Sequence, residues 1–254
     1  MYIDVHAHLA DSKYGGQIEK LVEAYQSAGV GLVINSGYDI PSSIAVKEQS
    51  ERYCDMFFSA GVHPDEAKTL DNQSIDQLIS LASHEKCLAV GEIGFDFYWN
   101  KSTEQEQIYA FEKQMEIADH LKRPFVVHSR EASAKTVAFL KDRKSLLKHG
   151  FLMHCFSESA ETAKVYQDLG GYFSFGGVIT FKNAKKDEII KSISKDRLLT
   201  ETDAPYLTPH PYRGQVNDSS KVVFVADKMA EILGFEKEQM QDIIRANAKA
   251  LFGV

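Results

Sequence analysis

Cysteine is scarce in this chain. Its 254 residues include three cysteines, Cys54, Cys87 and Cys155, and no two of them have CxxC spacing. So few and so widely separated cysteines fit neither a thiolate zinc knuckle nor a disulfide framework. Because reduced, buried cysteines are typical of cytoplasmic proteins, we expect a cytoplasmic location.

Long apolar runs are missing as well. No run approaches the ~20 residues that an apolar helix needs to span a bilayer. The sequence begins MYIDVHAHLAD, which puts a charge and two histidines where the apolar core of a secretory signal would lie. We therefore expect neither a secretory signal nor membrane binding.

Positive charge is in short supply. Lys and Arg number 29 against 36 Asp and Glu, which gives a formal net charge of -7. Broad binding to duplex DNA or to anionic membranes is therefore disfavoured, because affinity for a phosphate backbone comes from Lys and Arg. A nucleic-acid substrate is still compatible with this charge, since a few local cations at a cleft suffice. Nothing in the sequence indicates an obligate protein partner.

Linkers and nucleotide-binding loops are absent too. The sequence has no low-complexity segment and no linker rich in Pro, Gly or Ser, so it predicts one domain over residues 1–254. It has neither a GxGxxG motif nor a P-loop, which removes the usual support for an open, doubly wound sheet.

Strands and helices alternate along the chain. Short apolar runs of this kind are typical of strands buried on both faces of a parallel sheet, and the segments between them have helical spacing. Eight such strands favour an α/β fold with a single TIM (β/α)8 barrel, and an open sheet is the alternative. The predicted strands are Tyr2–Val5, Val30–Ile34, Met56–Ala60, Cys87–Val90, Phe125–Val127, Phe151–Met153, Gly171–Phe175 and Arg197–Leu199.

Polar side chains follow six of these eight strands. In parallel α/β folds, ligands bind at the carboxyl ends of the strands, so these residues are predicted to share one mouth of the barrel. A single histidine at such a place is more often a satisfied core residue or a helix cap, but recurrence at six ends favours a site. The residues are His6 and His8, His63, Glu92, His128, His154 and Asp203.

The spacing within this set indicates metal binding. His6 and His8 are two residues apart, so on a strand both side chains point into the barrel mouth. Two buried imidazoles facing one site are costly unless a cation binds their lone pairs. We expect Asp203 to complete this first site, His128 and His154 to bind a second ion, and Glu92 to bridge the two.

Two divalent cations about 3.5–4 Å apart activate a water and polarise the bond to be cleaved. The sequence therefore predicts a metal-dependent hydrolase acting on ester bonds, with Asp203 as the base that takes the proton of the water and Glu92 as the bridge. His63 lies outside both ligand sets and is predicted to donate to an oxyanion or a phosphate. Mixed imidazole and carboxylate ligands suit Zn, Mn, Fe, Co or Ni, and also Mg, without distinguishing them.

Taken in order, the segments DVHAHL, GVHP, GEIGFDFYW, PFVVHSR, HCFS and ETDAPYLTP resemble the TatD family of metal-dependent deoxyribonucleases. The resemblance covers nearly the whole chain. It implies a TIM barrel in which His6, His8, Glu92 and Asp203 hold one metal, and Glu92, His128 and His154 hold the other. It also implies cleavage of DNA from the 3′ end, or removal of a D-aminoacyl group from tRNA. Ser219 replaces the proline of the family's RGxxNxP pattern, and Asp218 with Ser219 is expected to cap the next helix.

Residues on the substrate side are predicted from the loops. Arg213 is a candidate for binding a phosphate and Tyr206 for stacking on a base, although a loop packed on itself is equally compatible with both. Arg130, two residues after His128, is likewise a candidate for binding a phosphate, and packing within its own loop is equally compatible with the sequence. Three functions follow: a nuclease acting on single-stranded DNA ends, a carbonyl-centred hydrolase of an ester, lactone or aminoacyl-tRNA, and a non-catalytic barrel that binds nucleic acid.

Overall fold

The computed structural model describes residues 1–99 and 101–254, and it confirms the predicted α/β barrel. Its eight strands form one parallel sheet in the order β1 to β8. Their bounds are β1 Tyr2–Ala7, β2 Val30–Ser36, β3 Met56–Ala60, β4 Cys87–Asp96, β5 Phe125–Arg130, β6 Phe151–Met153, β7 Gly171–Phe175 and β8 Leu198–Thr200.

Helices cover the outside of this barrel, and several begin at side chains that cap them. Asp39, Asp71 and Thr103 each accept a hydrogen bond from the third residue of the following helix, in a capping box. The α-helices of the described residues are α1 Ile18–Ser27, α2 Ile40–Glu51, α3 Asn72–Ala82, α4 Glu104–Leu121, α5 Ser133–Asp142, α6 Ala160–Asp168, α7 Asp187–Ser192, α8 Val222–Leu233 and α9 Lys237–Phe252.

Short 3₁₀ helices lie in the connections, at Ser12–Tyr14, Pro64–Thr69, Lys144–Leu146, Gly177–Thr180, Lys195–Arg197 and Ser219–Lys221. Of the predicted pair of capping residues, Asp218 caps the last of these, because its Oδ1 accepts the Ser220 N–H at 3.0 Å, whereas the Ser219 hydroxyl has no hydrogen-bond partner among the described residues. Within residues 1–99 and 101–254, none of the helices combines the length and the apolar character needed to cross a membrane.

Hydrogen bonds between β1 and the segment that begins in β8 close the barrel. The Asp203 N–H donates to His6 O at 3.0 Å, and the His8 N–H donates to Ala204 O at 2.7 Å. The buried Asp4 carboxylate accepts from the Thr202 N–H at 2.9 Å and from the Thr202 hydroxyl at 2.6 Å. The first and last strands are thereby held together at the level of His6, His8 and Asp203.

Strand β4 extends six residues beyond its predicted end at Val90. Its pairing with β5 is irregular between Val90 and Ile93 and then resumes to Asp96. Glu92 therefore lies within a strand rather than after one. An irregularity of this kind re-aims the side chains beside it, and β1 has a comparable one between Asp4 and Ala7, around His6.

Glycines allow the strands around Glu92 to approach closely. A Cβ at Gly61 would lie 2.5 Å from Gly91 C, and one at Gly94 would lie 2.0 Å from His128 O. Gly94 also has φ of +144°, which side chains rarely adopt. The backbone next to His128 therefore requires glycine at position 94.

We predict that Gly94→Ala destabilises the fold much more than Gly170→Ala. Both positions have positive φ, but a Cβ at Gly170 meets nothing within 4 Å. The substitution at Gly170 should cost about 1 kcal/mol for the backbone conformation alone. The substitution at Gly94 should cost at least about 3 kcal/mol, because the strands must separate. Urea unfolding of both variants measures the difference, and equal losses would contradict the steric argument.

Candidate metal centre

The two histidines of β1 face each other at the barrel mouth. His6 and His8 are buried, and their Nε2 atoms are 3.2 Å apart. Two neutral imidazoles that both direct a lone pair into this gap repel each other, and burial removes the water that would screen them. A proton or a metal cation between them removes this cost.

Two carboxylate oxygens complete this first set of donors. Glu92 Oε1 lies 3.5 Å from the Nε2 atoms of both His6 and His8. Asp203 Oδ1 lies 3.9 Å from the first of these nitrogens and 3.5 Å from the second. Ligands that are 2.0–2.2 Å from one ion lie roughly 3.0–3.6 Å from one another. Four of the five separations among these atoms fall in this range, and the fifth, from Asp203 Oδ1 to His6 Nε2, exceeds it by 0.3 Å, so the set is close to the spacing of the ligands of a single cation.

The other oxygen of Glu92 faces a second set. Glu92 Oε2 lies 2.8 Å from His154 Nε2 and 3.1 Å from His128 Nδ1, and these two nitrogens are 3.2 Å apart. The spacing again fits one ion. Glu92 is only 4% exposed, and its two oxygens point at different pairs of imidazoles, which is the geometry of a carboxylate between two cations.

The far nitrogen of each of these four histidines faces an oxygen atom. His8 Nδ1 is 2.9 Å from Ser36 O, His6 Nδ1 is 3.1 Å from Ser36 Oγ, and His128 Nε2 is 3.0 Å from Asp96 Oδ2. His154 Nδ1 lies 3.7 Å from Glu201 Oε1, beyond hydrogen-bond distance. The oxygens facing His6, His8 and His128 are placed to hold the ring protons on the far side, which leaves lone pairs toward the centre when these rings are neutral.

Charges within the cluster shift its pKa values in opposite directions. Burial would lower the pKa of His8, but hydrogen bonding to Asp203 and the charge of Glu92 raise it to about 9. Burial would likewise raise the pKa of Glu92, but the charges of His154 and His6 hold it well below its usual value. A proton on His8 thus supplies positive charge beside the two carboxylates.

His63 stands beside the second set, close enough to Glu92 and His128 that these three residues could also hold a metal ion. Its Nε2 lies 3.9 Å from Glu92 Oε2, and its Nδ1 accepts the Asp65 N–H at 3.1 Å. Burial and the neighbouring His128 lower the pKa of His63 to about 3, so the ring is neutral at pH 7. With Nδ1 accepting, the proton of the neutral ring is on Nε2. The ring therefore points a donor toward the cleft, which suits the predicted contact with a phosphate oxygen.

Three outer residues were not identified from the sequence. Asp96 and Glu201 are fully buried. Neither has the spacing to a histidine along the sequence that would indicate a metal ligand. Glu201 lies beside Asp203, and Asp96 ends the GEIGFD segment, so both were within motifs already singled out. Ser36, the third, faces His8 with its backbone oxygen and His6 with its hydroxyl. Only the folded arrangement shows which ring nitrogens these groups face.

The predicted substrate-side residues lie on the loops at the mouth, and the Tyr206 N–H donates to Asp203 O at 2.9 Å. The guanidinium of Arg130 lies over the Tyr98 ring, 4.0 Å from its centroid. Tyr206 donates its hydroxyl to Asp11 Oδ2 at 3.0 Å. The guanidinium of Arg213 lies 4.2 Å from the centroid of Phe181.

The loop that carries Tyr206 and Arg213 packs on itself. Asn217 donates its amide to Thr202 O and to Tyr206 O, at 3.0 and 2.7 Å. The loop also packs closely on the end of β7, because a Cβ on Gly177 would lie 2.0 Å from Leu207 O. The loop therefore has a fixed base, with Arg213 exposed near its tip.

The similarity to known proteins extends along the whole chain. The model of a family described as TatD related DNase matches residues 3–253. The chain is 38% identical to the uncharacterized metal-dependent hydrolase YabD of Bacillus subtilis, over 100% of both proteins. It is 30% identical to a protein of Citrobacter koseri named 3'-5' ssDNA/RNA exonuclease TatD, over 99% of this chain and 98% of that protein.

The fold agrees with a crystal structure of YJJV, a TatD homolog from Escherichia coli K12. The TM-score is 0.92 at 27% sequence identity, and the match covers 100% of this chain and 98% of that one.

We predict that Asp96→Asn weakens cation binding at the second set of donors by about 10- to 100-fold. The Asn oxygen can still accept the Tyr98 and Trp99 N–H groups that Asp96 Oδ1 accepts at 2.9 Å. Its amide, however, donates toward His128 Nε2 and moves the ring proton to Nδ1, which faces Glu92. Titration of metal-free protein with Mn²⁺ measures the affinity. Asp196→Asn, at an exposed site, is the control, and equal affinities would contradict the assigned role.

We also predict that cation binding at pH 7 releases protons. The pKa of His8 is raised to about 9, so its ring is protonated at pH 7 and must lose that proton before it can bind a metal. Affinity should therefore increase as pH rises from 6 toward 9. Calorimetric titration in buffers of different ionisation enthalpy measures the release, and heats that are independent of the buffer would contradict it.

Proposed function

The chain belongs to the family of TatD-related DNases and is a metal-dependent hydrolase, and we propose that it removes nucleotides from the 3′ end of single-stranded DNA. We propose further that two divalent cations act together, with Glu92 between them. The proposal is carried by one observation, which is that the two oxygens of Glu92 face two separate pairs of imidazole nitrogens.

The donor sets suit two hard or borderline cations. His6, His8 and Asp203 with one Glu92 oxygen would hold the first, and His128 and His154 with the other oxygen would hold the second. Divalent cations bound there would supply polarisation of a phosphoryl oxygen and acidification of an attacking water.

Asp203 and His63 supply the proton chemistry. Asp203 is partly exposed at the mouth, so a water can reach its carboxylate. Burial would raise its pKa, but the hydrogen bond and charge of His8 hold it below the usual value. Asp203 is therefore anionic at neutral pH and can accept the proton of the attacking water. The Nε2–H of His63 then donates to the phosphate that gains negative charge.

Cations on the loops at the mouth support a nucleic-acid substrate. Lys13, Arg130, Lys186 and Arg213 all lie on the side of the barrel where the strands end, although the chain is acidic overall. Three of these cations lie over aromatic rings, an arrangement that serves strands with unpaired bases. The relative from Citrobacter koseri, named for exonuclease activity on single-stranded DNA and RNA, supports the same substrate class. A cytoplasmic location and a single domain over residues 1–254 stay predictions.

We predict stepwise shortening of single-stranded DNA from its 3′ end. An oligonucleotide labelled at its 5′ end should give a ladder of labelled products, and one labelled at its 3′ end should release a labelled mononucleotide first. The assay is run with Mg²⁺, Mn²⁺, Zn²⁺, Co²⁺ and Ni²⁺. Asp203→Asn should lower the rate by about 100- to 10,000-fold, because the base is lost.

Asp242→Asn is the matched control, since Asp242 is exposed on α9, and it should retain full activity. Degradation from the 5′ end would contradict the proposed polarity. Cleavage of carboxyl esters or of D-aminoacyl-tRNA with DNA left intact under every cation would indicate the carbonyl-centred alternative. Equal DNA binding by wild type and Asp203→Asn, with no turnover by either, would indicate a non-catalytic barrel.

A further inference from the structure

Two large aromatic side chains are exposed beside the metal centre. Tyr98 and Trp99 follow β4 and are 50% and 55% exposed. Their rings meet edge to face, with centroids 4.9 Å apart and planes at 86°. Exposed aromatic pairs contribute little to a core, and a pair of this kind at a barrel mouth is typical of a binding surface.

A guanidinium lies against this pair. Arg130 is 4.0 Å from the centroid of Tyr98 and 5.5 Å from that of Trp99. Within residues 1–99 and 101–254, no carboxylate lies within ion-pair distance of this guanidinium. Its N–H donors are therefore free to bind a phosphate while its plane stacks on the ring. We call Tyr98, Trp99 and Arg130 the aromatic platform.

One buried carboxylate connects the platform to the metal centre. Asp96 Oδ2 faces His128 Nε2 at 3.0 Å, and Asp96 Oδ1 accepts the N–H groups of Tyr98 and Trp99, each at 2.9 Å. Arg130 pairs with Asp96 in the sheet and follows His128 by two residues. Asp96 thus holds the backbone of the platform next to His128, in the second set of candidate metal donors.

We propose that the aromatic platform binds the base of a nucleotide adjacent to the scissile phosphate in single-stranded nucleic acid. The base stacks on the exposed aromatic rings, and Arg130 contacts the neighbouring phosphate. This inference rests on the proposed function, since it assigns a substrate-binding surface to the same site. Stacking is tolerant of sequence because every base has a π face, so the platform provides affinity and register rather than base specificity.

Tryptophan fluorescence can report binding at the platform, because Trp99 is the one tryptophan of the chain. In the Asp203→Asn background, which is expected to slow turnover by at least about 100-fold, titration with a short oligothymidylate should quench or shift the tryptophan emission. An oligomer with the same phosphates but abasic at every position, the 3′ end included, should leave the emission unchanged. The probe thus separates stacking of a base from mere attraction of a phosphate backbone.

Substitutions give the second readout. Trp99→Ala should weaken binding of a labelled oligothymidylate by about 5- to 150-fold, in fluorescence anisotropy, because one stacked base is lost. In the otherwise wild-type enzyme it should raise KM and leave kcat nearly unchanged. Trp99→Phe should restore most of the affinity. Tyr109→Ala is the matched control, because Tyr109 is an exposed aromatic on α4, outside the platform.

The outcomes separate the platform from the proposed function. If wild type degrades single-stranded DNA while Trp99 emission stays constant and Trp99→Ala binds normally, the platform proposal is wrong. If Trp99 reports binding of the oligothymidylate but no cation supports cleavage, the platform stands and the nuclease proposal fails. A melting temperature of Trp99→Ala equal to that of wild type excludes a structural cause for weaker binding.

Discussion

The architecture of the site depends on one buried carboxylate that is shared by four imidazoles. Glu92 directs one oxygen at His6 and His8 and the other at His128 and His154, at distances between 2.8 and 3.5 Å. A buried group of this kind is stable only when positive charge surrounds it. The charge can come from protons or from metal ions, and the spacing of the donor atoms suits metal ions.

The rest of the barrel serves this arrangement. Gly61, Gly91 and Gly94 let three strands approach where Glu92 must reach between both pairs of histidines. Asp4 joins the first strand to the segment after the last one, so that His6 and Asp203 can meet. Asp96 then links His128 to a loop with exposed aromatic rings. The same backbone features that close the fold therefore align the candidate metal-binding side chains and the proposed binding surface beside them.

Much of this could be predicted from sequence because the barrel repeats a simple pattern. Seven of the eight predicted strands begin at the observed residue, and Leu198 replaces Arg197 as the start of the eighth. Ligands bind at the carboxyl ends of the strands in parallel sheets, and this rule predicts that the polar residues at those ends lie together. The continuation of β4 past Val90 is not predicted by an apolar run, because Gly91, Glu92 and Gly94 interrupt that run. Asp96, Glu201 and the stacking of Arg130 on Tyr98 depend on contacts between strands, which spacing along one strand does not encode.

The central claim is that Glu92 stands between two cations. The most direct test is a crystal structure of the protein soaked in Mn²⁺, with anomalous diffraction measured at the barrel mouth. The account predicts two anomalous peaks about 3.5–4 Å apart, one beside each oxygen of Glu92. A single peak between His6 and His8 at saturating Mn²⁺, with Glu92 Oε2 still bound only to histidine, would contradict it.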